Sequence, residues 1–214
     1  MKKVILSVAA VFAFGFASAQ EMDVTPTYGL TNGDVIVEGS LQFGSTNNKN
    51  TEIKTSRFGF TPKVGYMVTD KSMLGAQLGF GSTKTEEVNP DMTQKANSFT
   101  VGVFGRYYFL ELGERFKTYG ELGLGFGTVK GEVKTPISTT KSDNINTVNA
   151  GLSLGMNYFL TQNVAISFTL ADVLSYGTSK FDAAGAKAQT DFNGNINVFN
   201  NIFDTPTIGL MYKF

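Results

Sequence analysis

Histidine and cysteine are both absent from this 214-residue chain, so acid, base and ion-pair chemistry falls to its carboxylates, lysines, arginines and tyrosines. Without histidine, Ser-His and related hydrolase or acyl-transfer sites cannot be assembled, and without histidine or cysteine a zinc-type metal lacks its usual ligands. The run Asp191, Phe192, Asn193, Gly194, Asn195, Ile196, Asn197 has the look of a calcium loop. Its glycine is misplaced, however, and its twelfth residue is Ile202 instead of glutamate. YGELGLGFG (119–127) is glycine-rich but lacks the full dinucleotide fingerprint and opens no helix. Its glycines are expected to admit bulky neighbours inside a narrow interior. No enzyme, cofactor or metal site is expected. The balance of 18 basic and 18 acidic residues, with no basic cluster, argues against a nucleic-acid partner.

The elements that would position these side chains are strands. Apolar and polar residues alternate with a period of two along eight segments, the pattern of strands with a different solvent on each face. Val35, Val37, Leu41 and Phe43 alternate with Glu38, Ser40, Gln42 and Gly44. Phe58, Phe60, Val64, Tyr66 and Val68 alternate with Arg57, Gly59, Thr61, Lys63 and Gly65, and Leu74, Ala76, Leu78 and Phe80 with Gly75, Gln77, Gly79 and Gly81. The same pattern carries Phe99, Val101, Val103, Tyr107 and Phe109, then Leu122, Leu124 and Phe126, then Val148 through Tyr158. It ends with Val164, Ile166, Phe168 and Leu170, whose opposite face holds Ala165, Ser167, Thr169 and Ala171, and with Ile208, Leu210, Tyr212 and Phe214. Connections alternate between short (69–72, 110–117, 161–163) and long and polar (45–55, 83–97, 130–146, 175–200). Short periplasmic turns and long exterior loops are the arrangement of outer-membrane barrels. A hairpin hidden within 175–200 would raise the count to ten strands.

The apolar faces read as lipid-facing because aromatics collect at both ends of the segments. Tyr66, Tyr107, Phe109, Tyr158, Tyr212 and Phe214 lie toward one end, and Phe43, Phe58, Phe80, Phe99 and Phe126 toward the other, as two membrane interfaces select. Phe58 to Tyr66 and Phe99 to Tyr107 each span eight residues, a rise of roughly 20 Å at barrel tilt against an apolar band of ~25 Å. Hydrocarbon cannot satisfy a sheet edge, so the sheet must close. The expected fold is all-β: a closed, antiparallel, up-and-down transmembrane β-barrel of about eight strands, narrow enough for side chains to fill. The polar face then gathers Glu38, Arg57, Lys63, Arg106, Glu121 and Lys213 with Gln42, Gln77, Tyr108, Tyr119 and Asn157. With a turn centred near residues 113 and 114, Arg106 faces Glu121 and Tyr108 faces Tyr119. The set Glu38, Lys63, Arg106, Glu121, Tyr108 and Tyr119 is expected to form an internal network that plugs the barrel; a lined pore is the alternative. Pro62 inside a strand calls for a bulge or a local break. Phe104 and Phe159, on the polar parity, must fill the interior or mark a register shift.

The N-terminus carries Lys2 and Lys3, an apolar run from Val4 to Phe16 too short to span a membrane as a helix, and the small-x-small box Ala17-Ser18-Ala19. The expected organisation is a cleaved signal peptide over 1–19, a periplasmic segment over 20–34 and the barrel over 35–214.

The segments FGFTPKVGYMVTDKSMLGAQLGFG (58–81), VGVFGRYYF (101–109), YGELGLGFG and the terminal GLMYKF resemble the outer-membrane β-barrel domain family of small Bacteroidetes-type barrels. That family is similar in architecture to the membrane domain of outer-membrane protein A and to outer-membrane protein X. The resemblance implies an outer-membrane location and contact with outer-membrane lipid. It also implies a final strand, ending in Tyr212 and Phe214, that is read by the barrel assembly machinery. Because the chain stops at Phe214, no wall-tethering domain is expected to follow. The implied role is non-catalytic, displaying exterior loops for envelope structure or surface contact with an unnamed partner. A passive porin-like channel and a soluble lipocalin-like binder are the alternatives. The girdle residues of this reading are Phe58, Tyr66, Phe99, Tyr107, Phe109 and Tyr158.

Overall fold

The computed structural model describes residues 28–88, 91–194 and 207–214, and all regular structure among them is strand. The elements are β1 (Val35–Asn48), β2 (Ile53–Met67), β3 (Ser72–Glu87), β4 (Met92–Leu112), β5 (Phe116–Lys134), β6 (Thr139–Lys141), β7 (Ile145–Phe159), β8 (Val164–Phe181), β9 (Gln189–Gly194) and β10 (Thr207–Lys213). The signal-peptide expectation for 1–19, and most of the segment 20–34, lie outside the described residues.

Eight strands form the ring: β1, β2, β3, β4, β5, β7, β8 and β10, each antiparallel to its neighbours. Closure falls to β10, whose residues 208–213 pair with 41–36 of β1 while 207–212 pair with 169–164 of β8. The hairpin considered within 175–200 does exist, since residues 174–179 of β8 pair with 194–189 of β9. It adds no position to the ring, because β9 stands beyond β10 against the same strand.

The expectation of long polar loops is corrected by the strand lengths. Of residues 45–55, only 49–52 lie outside strands, and β3 and β4 run to Glu87 and back from Met92. Beyond the bilayer both faces of a strand meet water, so the apolar alternation stops while backbone pairing continues. Threonine suits such strands: Thr55 and Thr85 are cross-strand partners with hydroxyls 3.4 Å apart. The turn expected over 110–117 is likewise tighter, confined to 113–115, with Gly113 supplying a φ of 69°. At the neighbouring turns, Thr69 and Thr161 accept backbone N–H bonds from residues two and three ahead, fixing those hairpins with side-chain oxygens.

The exterior between the aromatic ends is apolar and open: Val64, Leu74, Val103, Leu122 and Leu124 are each at least half exposed. Phe58, Tyr66, Tyr107 and Phe109 share that exposure, Phe99 is somewhat less open, and Tyr158 is half-buried against Phe116. Such a surface is stable only against hydrocarbon. The barrel of the expectation is therefore the fold observed.

Two irregularities have physical causes. At Pro62 the β2–β3 ladder lapses over Thr61 and Pro62 and resumes in unchanged register at Lys63 and Gln77, because proline has no N–H to donate. In β8, pairing with β7 shifts twice, leaving Leu170 and Val173 without opposite residues. The simple alternation that put Ala171 on the polar face fails there. Asp172 instead comes to line the interior, where its charge meets water instead of lipid.

Candidate functional site

The interior holds the polar chemistry, and its lower and upper parts differ. Toward the short turns it is filled. Arg106 on β4 is 2% exposed and lies between two carboxylates. Its Nε and Nη2 donate to Glu121 Oε2 at 2.8 and 2.6 Å, while Nη1 and Nη2 donate to Glu38 Oε2 and Oε1 at 2.9 and 3.3 Å. Lys63 on β2 pairs with the other oxygen of Glu121. Arg106 Nη1 also donates to the Tyr108 hydroxyl, which in turn donates to Asn157 Oδ1 at 2.9 Å. Tyr119 stacks under the guanidinium at 3.9 Å and its hydroxyl lies 3.4 Å from Ser167 Oγ. Glu38, Lys63, Arg106, Tyr108, Tyr119 and Glu121 thus converge from β1, β2, β4 and β5, two cations against two anions, with Asn157 and Ser167 extending the network to β7 and β8.

Adjacent-strand register explains part of this. Arg106 is the β-partner of Glu121, and Tyr108 of Tyr119, because the 113–115 turn fixes the β4–β5 pairing. Glu38 is different: it reaches Arg106 across the lumen from a strand that does not pair with β4.

Apolar side chains complete the filling. Phe104 and Phe159 take the interior-filling option, at 4% and 0% exposure, alongside Ile36, Met67, Met73 and Met211. Phe104 receives the Lys63 and Arg106 cations on its ring at 5.1 and 5.6 Å. Room for these rings comes from glycine: a Cβ at Gly155 would strike the Tyr119 ring, and one at Gly75 the Phe104 ring. Beside the rings, the role expected for the glycines of YGELGLGFG falls to Gly155 and Gly75. Within the run, a Cβ at Gly123 would come no closer than 3.8 Å to Gln77, while one at Gly125 would press on Thr100 and one at Gly127 would strike Thr100, Thr147 and the Phe99 carbonyl.

Beneath this layer, residues 28–34 cross the mouth, which the sequence did not signal. Tyr28 and Leu30 pack on the buried cluster. Arg115 stacks over Tyr28 at 4.3 Å and donates to its hydroxyl at 2.6 Å, Asn32 N–H donates to Asp70, and Lys213 donates to Gly29 O at 2.9 Å. Lys213 lies on the interior parity as expected, but serves this strap instead of the central network. Another ion pair, Lys117 with Glu111 at 2.7 Å, sits at the same end where the bulge at Phe109 brings Glu111 opposite Lys117.

Above the network the lumen opens. One cavity of about 380 Å³ is lined by Gln77, Thr100, Asn149, Ser153, Asp172 and Asp191 among others. A second, of about 420 Å³, includes Gln42, Arg57, Thr61 and Ser98 in its walls. Asp191 and Asn193 of the calcium-like run belong to β9 and the wall of the first cavity, while 195–197 lie outside the described residues. At the C-terminal end, Tyr212 meets Phe214 edge-to-face at 4.6 Å, and Phe214 N–H donates to Val35 O at 2.9 Å.

Comparison with known proteins assigns the family. No curated protein is significantly similar to the chain. Among solved structures, OprG of Pseudomonas aeruginosa matches with 16% identity and a TM-score of 0.47, covering 87% of this chain and 98% of its own. Ail, the attachment invasion locus protein of Yersinia pestis, matches with 15% identity and a TM-score of 0.47, covering 86% of this chain and 100% of its own. A major outer membrane protein of Thermus thermophilus matches with 12% identity and a TM-score of 0.46, covering 86% and 100%. The family description "Outer membrane protein beta-barrel domain" matches residues 6–214, nearly the whole chain. With its closed ring, lipid-facing exterior and this match, the chain is a member of the outer membrane protein beta-barrel domain family and resides in the outer membrane.

Proposed function

We propose that the protein is a closed, non-catalytic outer-membrane barrel whose strands stand out beyond the bilayer as a polar rim, serving envelope structure or surface contact and not solute passage. The observation that carries this is Arg106, held by Glu38 from one side of the lumen and Glu121 from another, with Phe104, Tyr119 and Phe159 buried around it. A neutral, fully ion-paired cluster of this kind is costly to open, since removing one partner of a buried pair leaves an uncompensated charge. The same pairing leaves these carboxylates engaged instead of free for acid or base work. In this reading the final strand, with Tyr212 and Phe214, is the element engaged by the assembly machinery.

Planar-bilayer recording of the purified protein tests the proposal: no stepwise conductance is expected, and reproducible unitary steps from the wild type would overturn it. The channel reading is favoured by one feature, the open upper lumen. It requires Arg106 to act as a gate. Arg106→Ala that left thermal stability unchanged while opening conductance would establish that gate in place of a plug.

A further inference from the structure

Above the aromatic girdle the outward face carries a pattern that closure of the barrel does not require. On β2, β3, β4, β5 and β8 an outward aromatic is followed, four residues farther toward the exterior, by a lysine: Phe58 by Lys54, Phe80 by Lys84, Phe99 by Lys95, Phe126 by Lys130 and Tyr176 by Lys180. An even spacing keeps both residues on one face. Four residues at barrel tilt rise roughly 10 Å, and the headgroup layer outside the hydrocarbon is about 5 to 7 Å deep on each side. A lysine stem can bend its ammonium back over that difference. The ammonium groups thus hang at the level of lipid headgroups, directly above rings that sit at the acyl boundary.

The protein supplies this row with fewer carboxylates than lysines: only Lys84 is ion-paired. Lys84 and Lys95 are direct cross-strand partners, a like-charge pairing that disfavours the sheet unless an anion lies between them. Lys54 stands opposite Glu86, which also pairs with Lys84, so one carboxylate serves several cations. The hydrogen bond from Lys84, with Lys54 and Lys95 close by, holds the Glu86 carboxyl below its ordinary range. Among the described residues the side chains of Lys54, Lys95, Lys130 and Lys180 make no hydrogen bond or ion pair, and the next carboxylate on this face, Glu132, lies near Lys134 at 3.5 Å.

From this we infer that the row Lys54, Lys84, Lys95, Lys130 and Lys180 is a docking surface for the phosphate groups of outer-leaflet lipid headgroups, whose acyl chains lie against the aromatic girdle below. The occupant is a membrane amphiphile because cation and apolar ring are stacked on the same outward face at lipid spacing; a soluble anion would have no use for the rings.

The test uses the whole barrel reconstituted in phosphatidylcholine vesicles, with or without lipid A, a phosphorylated acylated disaccharide. Heat-dependent gel mobility reads the unfolding temperature, and native mass spectrometry reads retained lipid. Lipid A is expected to raise the unfolding temperature and to be retained. The triple variant Lys84→Gln, Lys95→Gln, Lys130→Gln is expected to lose that rise and to bind lipid A more weakly by roughly fivefold per lysine, from about 1 kcal/mol each. Lys71→Gln with Lys187→Gln, charge changes off this row, is expected to behave as wild type. Should the triple variant fail to fold on the unheated gel, the single variants Lys95→Gln and Lys130→Gln carry the same comparison. Three outcomes would each overturn the inference: undiminished lipid A retention by the variants, an equal rise with dephosphorylated lipid A, or an equal rise with inorganic phosphate added to phosphatidylcholine vesicles.

Discussion

The two halves of the lumen share the same staves and differ in what those staves point inward. Below, the inward positions carry Ile36, Glu38, Met67, Met73, Phe104, Arg106, Tyr108, Tyr119 and Phe159, packed to near-complete burial. Above, Gly59, Gly79, Gly81, Gly123 and Gly125 sit among polar residues such as Thr61, Gln77, Ser98 and Thr100 around the two cavities. Strand number and tilt set the radius of a barrel. Within that fixed radius, side-chain volume at each level decides whether the space is a plug or a vestibule. Glycine serves different neighbours in the two halves: below it yields space to aromatic rings, above to small side chains such as Ser98 beside Gly81, and Gly123 faces open space.

The sharpest break in this contrast is Arg106→Ala. Loss of the guanidinium strands Glu38 in a buried site and leaves Glu121 with Lys63 alone, and is expected to cost about 3 to 5 kcal/mol, read as a fall in unfolding midpoint in urea with the protein in lipid. Combining Arg106→Leu with Glu38→Gln, which leaves Glu121 paired with Lys63, should recover much of that loss. If the single change proves neutral, the lower half is not held by its charges.

Next in size is a matched pair of glycine substitutions. Gly155→Ala drives a Cβ into the Tyr119 ring and is expected to cost about 1 to 3 kcal/mol as an overpacking change. Gly123→Ala, in the upper half, is expected to be near neutral in the same unfolding assay. Equal penalties at both positions would erase the distinction between plug and vestibule.

The strap gives a smaller effect. Tyr28→Ala removes the Arg115 stacking and hydrogen bond, together worth about 1 to 2 kcal/mol, and faster hydrogen exchange at Gly33 N–H, bonded to Met67 O, would report it. Smallest in energy but most specific is Asp172→Cys. The double bulge predicts labelling by a water-soluble maleimide and no quenching of an attached dye by lipid-borne quenchers; the reverse pattern would put position 172 on the lipid face.

The eight alternating segments, most of their lipid-facing residues and the pairing of Arg106 with Glu121 and Tyr108 with Tyr119 follow from the amino-acid order alone, because alternation is a property of successive residues and a tight turn fixes register between adjacent strands. The polar strand extensions escaped that reading, since outside the bilayer nothing requires one face to be apolar. Phe104 and Phe159 are ambiguous in the sequence; their burial in the lumen, with Gly75 yielding space to the Phe104 ring, resolves them. Only the closed ring decided that Glu38 meets Arg106, that residues 28–34 cap the mouth on Arg115 and Lys213, and that β9 and β10 share β8. Those contacts join residues far apart in the chain across a cavity whose shape depends on how all eight strands are sheared and closed, and no local pattern of side chains encodes that geometry.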